Sequence, residues 1–417
     1  MSPRLAPLRR TLDLMPSPLE ERPGLLLRDP FAYADQVVII PPPLVSFLRF
    51  FDGAHEESEL AEALYRTTGD LQARGFAQRL VQTLSGSGFL EDRELEHRRH
   101  ARHRAFAQAA RREPAHAGQA YPEDALRLGA QLDGWLGAPE ATESPAPSGV
   151  YAIAAPHVSL EGGWRSYAAA YRALPADGGE RTFVVLGTSH YGAPQRFGLT
   201  RKAYESPLGT AVTDTAIVDR LAAEAGEAAL VEDYCHAVEH SIEFQVVFLQ
   251  RRYGAGVRVV PILCGPFAEA TLGHGRPEDD AGVARMLGAL AELHARENGS
   301  LSWVLGVDLA HVGRRYGDAL EARAGDGPLV EVEQRDRRRL AAVLEGDADA
   351  FWNAVRENED DLKWCGAAPL YAFLKATAPQ RGALLRYEQW NIDPASVVSF
   401  AALAFGRGAA TRGEGGA

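Results

Sequence analysis

The sequence predicts an α/β protein, a sheet with helices on both faces, preceded by a small and mainly helical N-terminal domain. First, five runs are apolar almost without interruption: VYAIAA (150–155), TFVVLG (182–187), VRVVPILC (257–264), SWVLGV (302–307) and VVSFAALAF (397–405). A strand covered on both faces reads this way, whereas a half-exposed strand alternates. Second, segments of helical spacing separate these runs, the order expected of a sheet with helices on both sides. Third, the Arg- and His-rich stretch RELEHRRHARHRAFAQAARRE (93–113) sets off a first block with different patterning.

The first block covers residues 1–92. GLLLRDP and QVVII read as short strands, and Pro41–Pro43 stop the second. LVSFLRFF has helical spacing and closes at Asp52–Gly53. SELAEALYRTTG and ARGFAQRLVQTLSGSG are amphipathic and end in Gly, the usual C-terminal signal of a helix. FLED then fits a short wing strand, which makes the block winged-helix-like. Residues 93–113 read as a basic helical linker rather than an RNA contact, because no aromatic stacking residues are interleaved. Residues 114–408 carry the α/β pattern, with helices such as WRSYAAAYRAL, IEFQVVFLQRRY, ARMLGALAELHARE and PLYAFLKAT between the strands. The tail 409–417 is expected to be disordered.

Composition excludes several classes of function. Of 417 residues, 44 are Lys or Arg and 56 are Asp or Glu, a formal charge of −12. Such a chain is a poor nonspecific nucleic-acid binder, which needs cations to neutralise phosphates, and a poor ligand for an anionic membrane. Apolar residues make up 46%, enough for a sizeable core. Three cysteines (Cys235, Cys264, Cys365) make no disulfide framework and fit a reducing compartment. The basic start is followed by no apolar stretch of signal-peptide length, and the apolar runs are far shorter than a bilayer span of about 20 residues. The expected location is cytoplasmic.

Chemistry gathers where strands end. YAIAA runs into Pro156-His157, TFVVLG into Thr188-Ser189-His190, and SWVLGV into Asp308-Leu-Ala-His311. Ligands of open α/β sheets sit outside the carboxyl ends of the strands, so these residues are expected on one rim. A lone His after a strand is usually a loop residue; three such strand ends point to a site. Glu239-His240-Ser-Ile-Glu243 opens a helix, and the spacing of His240 and Glu243 puts them on one helix face. Cys235 and His236 just upstream read as bystanders. Cys264, inside its strand, reads as a small buried apolar residue. Cys365 sits in the turn Trp364-Cys365-Gly366 before a helix, where a thiolate is favoured.

The motifs APHVSLEGGW, VVLGTSHYG, VEHSIEFQVVFLQ, VPILCG, VDLAHVG and WCGAAPLYAF, in this order across 114–408, resemble the Memo family and within it the bacterial AmmeMemoRadiSam system protein B group. The fold of that family resembles the LigB-type class III extradiol dioxygenases. The resemblance implies a metal-binding cleft in which His157 and His190 are ligands and Cys365 takes the place of a carboxylate ligand. His311 then matches an acid/base histidine with Asp308 beside it, and His240 and Glu243 line the same pocket. Two His and one Cys are softer than two His and a carboxylate, which implies iron or copper, with zinc as a further candidate. Family association implies a radical-SAM partner, an AMMECR-like partner and a peptide or small-molecule substrate. The first block resembles PqqD-like peptide-chaperone modules. Two functions stay open: a metal-dependent enzyme of the dioxygenase type, and a non-enzymatic metal- or peptide-binding adaptor.

Overall fold

The computed structural model describes residues 3–17, 19–139, 142–176, 181–273, 275–297, 299–379 and 381–407. The chain divides into two compact units, residues 1–108 and 109–417. The tail 409–417 lies outside the described residues.

In the first unit, strands β1 (Asp13–Pro16), β2 (Leu25–Arg28) and β3 (Val38–Ile40) form an antiparallel sheet. Helices Glu57–Thr68 and Ala73–Gly86 follow. The first starts in a reciprocal cap between Glu56 and Glu59 and stops where Gly69 turns left-handed, φ +69°. Leu27, Leu60, Leu64, Ala77, Leu84 and Phe89 make the core. FLED forms no strand, since Leu90 makes only an isolated bridge with Leu8. The expected linker also has another place. Residues Arg93–Gln108 form a helix that belongs to this unit, because it has apolar contacts to bury: Leu95 and Phe106 are buried, the Tyr33 hydroxyl meets His103 Nε2 at 2.8 Å, and Arg98 Nη2 donates to the Gly86 carbonyl at 2.7 Å.

The second unit is built on one mixed sheet. Strands β4 (Val150–Ala155), β5 (Thr182–Thr188), β6 (Arg258–Cys264) and β7 (Leu301–Gly306) are parallel and lie side by side in the order β4-β7-β5-β6. The hairpin β8 (Gly382–Asp393) and β9 (Ser396–Gly406) joins antiparallel through β9 to β4. Side chains of successive strand residues point to opposite faces, and both faces are covered. Ala152, Ala154, Val184, Leu186, Trp303 and Leu305 enter one core, with helices Ala281–Arg296 and Ala367–Thr377. Ile153, Ala155, Phe183, Val185 and Val304 enter the other, with helices Leu160–Ala173 and Glu243–Tyr253. This two-sided burial is why the runs are continuously apolar. No described helix is long and apolar enough to cross a membrane.

Candidate metal centre

The parallel strands β4, β7 and β5 are adjacent, so the residues after their last positions meet on one rim. His157 follows β4, Asp308 follows β7 and His190 follows β5. The His157 backbone N–H donates to Asp308 Oδ1 at 2.9 Å, which links two of these strand ends.

His240 arrives from the far side, and two glycines admit it. Gly187 on β5 and Gly306 on β7 are cross-strand partners, and the Ser241–Ile242 turn rests on them. A Cβ on Gly306 would sit 2.2 Å from the Ser241 carbonyl oxygen, and one on Gly187 2.5 Å from Ser241 Oγ. Ser241 Oγ donates to the Thr188 carbonyl at 2.7 Å, and Gln245 Nε2 donates to the Pro156 carbonyl at 2.8 Å. The turn is thereby fixed over the strand ends.

The result is a compact histidine cluster. Ring centroids are 4.9 Å apart for His157 and His190, 5.2 Å for His157 and His240, and 5.0 Å for His190 and His240. One ligand-capable nitrogen from each ring lies within 4.8 Å of the others. Each Nδ1 is already engaged. His157 Nδ1 donates to the Gly306 carbonyl at 3.0 Å; His190 Nδ1 and His240 Nδ1 both lie 3.1 Å from the Glu239 carboxylate. That leaves the three Nε2 atoms as the ligand-capable nitrogens, of which His157 Nε2 also lies 3.5 Å from Asp308 Oδ2; with a cation bound, the outer partners would fix the tautomers as in known metal sites. Cys365 Sγ is 3.3 Å from His157 Nε2 and 3.6 Å from the Asp308 carbonyl oxygen. Its turn is tied down by Thr188 Oγ1, which donates to the Cys365 carbonyl, and by the Gly366 N–H, which donates to the Asp308 carbonyl, both at 3.0 Å.

The charges are coupled. Burial alone would raise the Glu239 carboxyl, but His190 and His240 hold it well below the usual carboxylate range. Burial opposes a charge on His190, yet Glu239 and Cys365 lift it well above an ordinary imidazole. His157 is likewise disfavoured by burial and raised to about 9 by Asp308 and Cys365. His240 is left neutral: burial, with His190 and His157 beside it, takes it to about 4 despite Glu239. Cys365 is raised by burial but brought down to about 5 by His157 and His311. Without a metal this is a thiolate among imidazolium rings, a donor set that releases protons when a cation binds. The residues fit a soft or borderline divalent ion.

Beside His190 and Cys365 opens a cavity of about 360 Å³ walled by Phe267, Leu272, Trp352 and Trp364. His311 stands on the Cys365 side, where its Nδ1 donates to the Leu309 and Lys363 carbonyls at 3.0 Å and its ring meets Tyr316 edge-on at 4.9 Å. Six of the seven residues singled out in the sequence therefore gather: His157, His190, Cys365, His240, Asp308 and His311. Glu243 does not, which corrects the expectation that it lines the pocket. The helix begins at Glu243, after His240, and the Glu243 side chain turns to Arg112 and Tyr121 instead of the cluster. The Glu243 carboxylate is 1% exposed and is paired with Arg112, with the Tyr121 hydroxyl and with the N–H groups of Ala115 and His116. The carboxylate that serves the cluster is Glu239. The sequence held a signal for it, an acid directly before His240, but that acid reads equally well as a helix cap. His236 is fully buried between the Tyr204 hydroxyl (2.6 Å) and the Gly198 carbonyl (3.0 Å), and Cys264 is buried in β6.

The family model described as Memo-like protein matches residues 112–404. A MEMO1 family protein of Aquifex aeolicus is 24% identical over 389 residues, 91% of this chain and 95% of its own length. An alignment that long necessarily enters the first unit. A MEMO1 family protein of Methanosarcina acetivorans is 27% identical over 300 residues, 70% of this chain and 98% of its own length. Among solved structures, an uncharacterized protein of Escherichia coli K12 matches with a TM-score of 0.39 at 13% identity, covering 62% of this chain and all of the other. With a family match that spans nearly all of the second unit, the chain belongs to the Memo-like protein family.

Proposed function

We propose that this chain is a metal-dependent enzyme related to the extradiol dioxygenases, with its metal held by His157 and His190 and the Cys365 thiolate, and with iron or copper favoured over zinc. The observation that carries this reading is the convergence of three imidazole nitrogens within 4.8 Å of one another, with the Cys365 sulfur 3.3 Å from one of them, beside a largely apolar cavity. When bound, the metal supplies Lewis acidity and, if redox-active, electron transfer. The chain's own residues do the rest. Glu239 orients His190 and His240 through their Nδ1 atoms. Asp308 holds the His157 backbone at 2.9 Å. The apolar walls exclude water from a substrate docked beside His190. His311, tied through Nδ1, keeps Nε2 for moving a proton at the substrate. In this reading the protein acts in the cytoplasm with a radical-SAM protein and an AMMECR-like protein, as its family resemblance implies. The first unit serves as a docking module for a peptide partner.

A second reading has its own observation. His240 stands as close to the other two histidines as they do to each other. If Cys365 joined these three histidines on the ion, the set would be a closed one of four ligands, which suits a structural or carrier site rather than catalysis. Elemental analysis of anaerobically purified protein, beside His157→Ala and Cys365→Ser, tests both readings. One equivalent of metal in wild type and a marked loss in both variants is expected. Equal, negligible metal in all three sinks the metal centre. Oxygen uptake with catechols or with partner-derived peptide then supports the enzyme, and full metal with no uptake favours the carrier.

A further inference from the structure

Gln195 is 2% exposed, yet neither its Oε1 nor its Nε2 has a hydrogen-bond partner among the described residues. Buried side-chain amides are almost always paired, so an orphaned one asks for a missing partner. Its backbone is also unusual, with φ +54°, a region that side-chain-bearing residues seldom enter and that gathers at binding sites. The loop has little freedom to move the amide elsewhere. The Gln195 N–H donates to the Pro266 carbonyl at 3.2 Å, and the Gly265 N–H donates to the Arg196 carbonyl at 2.9 Å. Gly265 is pressed so close that a Cβ there would lie 2.4 Å from the Ala193 carbonyl oxygen.

Gln195 lines a cavity of about 330 Å³ that is distinct from the one beside His190. The short helix Ala268–Leu272 stands between them, giving Glu269 to one and Thr271 and Leu272 to the other. At about 30 Å³ per water, the space would take on the order of ten waters. It lies within the range of small-ligand sites, roughly 300–1,000 Å³. The charged groups on its wall indicate what it would take. Asp279 accepts from the Arg276 N–H at 2.7 Å, Asp280 accepts from the Gly282 and Val283 N–H groups at 2.8 and 2.9 Å, and the Arg276 guanidinium pairs with Asp349. Among the described residues, Asp279 and Asp280 thus meet only uncharged N–H groups, the Glu269 carboxylate meets none, and the wall's one guanidinium is already paired with Asp349. An anion is therefore disfavoured and a cation favoured. An amide offers a donor and an acceptor side by side, which a peptide group matches in reverse.

We infer that this cavity is a subsite for the amino-terminal end of a short peptide, the ammonium at Glu269 and the first peptide group at the Gln195 amide. The inference is independent of the metal centre, and its test uses the full-length, metal-free protein. Calorimetric titration with glycylglycinamide is expected to show saturable binding at millimolar concentration. N-acetyl-glycylglycinamide should bind at least tenfold more weakly, and so should the peptide to Glu269→Gln, an exposed and structurally mild change. Gln195→Leu should lose binding while its thermal midpoint stays level or rises, because an apolar side chain removes an unpaired buried amide. If Gln195→Leu does not fold, the Glu269→Gln and N-acetyl arms decide. No saturable binding by wild type would mean the cavity holds water alone, and that overturns the inference. Binding unchanged in both variants or by acetylation also overturns it.

Discussion

Replacing Gly306 with Ala should cost metal binding more than it costs the fold. The added Cβ would lie 2.2 Å from the Ser241 carbonyl oxygen, 0.8 Å short of the 3.0 Å that such atoms keep. The clash is with backbone, so no side-chain rotation relieves it, and the Ser241 peptide must move. That peptide follows His240 directly and is pinned beside Glu239, which reaches the His240 and Ser241 N–H groups at 2.8 and 3.2 Å. A displacement near 0.8 Å exceeds the tolerance of about 0.2 Å for metal–ligand distances. We expect the affinity for a divalent ion to fall by about 10–100-fold, the range found when a ligand's support is lost. Overpacking should lower stability by about 1–3 kcal/mol. Competition against a chromogenic chelator measures the first, and urea denaturation the second. Gly134→Ala is the control, since a Cβ there meets nothing within 4 Å and should stabilise its helix by about 0.5–1 kcal/mol. Wild-type metal affinity in Gly306→Ala would refute the idea that the two glycines position His240.

Glu239→Gln should weaken metal binding by about 10–100-fold, because one carboxylate orients both His190 and His240; unchanged affinity by calorimetry would deny it that role. In metal-free protein, alkylation of Cys365 should be nearly flat between pH 6 and 8 and fall off below about 5, whereas an ordinary thiol reacts faster up to about 9. The sign follows from a depressed value: stability contributed by the thiolate is complete above pH 9 and lost as pH falls through about 5. Burial pushes Cys235 and Cys264 upward, so mass spectrometry should find the label on Cys365. Arg112→Leu should destabilise the protein by about 3–5 kcal/mol in urea melts, because it strands the buried Glu243 carboxylate. Glu243→Gln should lower stability but leave metal stoichiometry intact, and loss of metal there would return Glu243 to the site.

The core strands were legible because burial on both faces leaves a one-dimensional trace. VYAIAA matches β4 residue for residue, and the other runs end within a residue or two of their strands. Gly382–Asp393 escaped notice because it is half-exposed on the sheet's outer edge, and its Arg, Glu, Gln and Asn residues break the apolar run. The site was legible to the extent that it hangs from strand ends: His157, His190 and Asp308 follow from topology alone. Glu239 and Glu243 were exchanged because both are acids beside His240, and only the helix start separates their directions. The part played by Arg112 was invisible, since its partner lies 131 residues away.

His157 and Cys365 touch across 208 residues of chain. Between them run all three crossover connections of the four parallel strands, so the cluster cannot exist until all have closed. An ion that binds there has no comparable site in the unfolded chain. At a free concentration of 1,000 times its dissociation constant it would therefore stabilise the native state by about 4 kcal/mol. Such an ion acts as a clasp on the finished topology, and its uptake marks the moment at which the last crossover has locked.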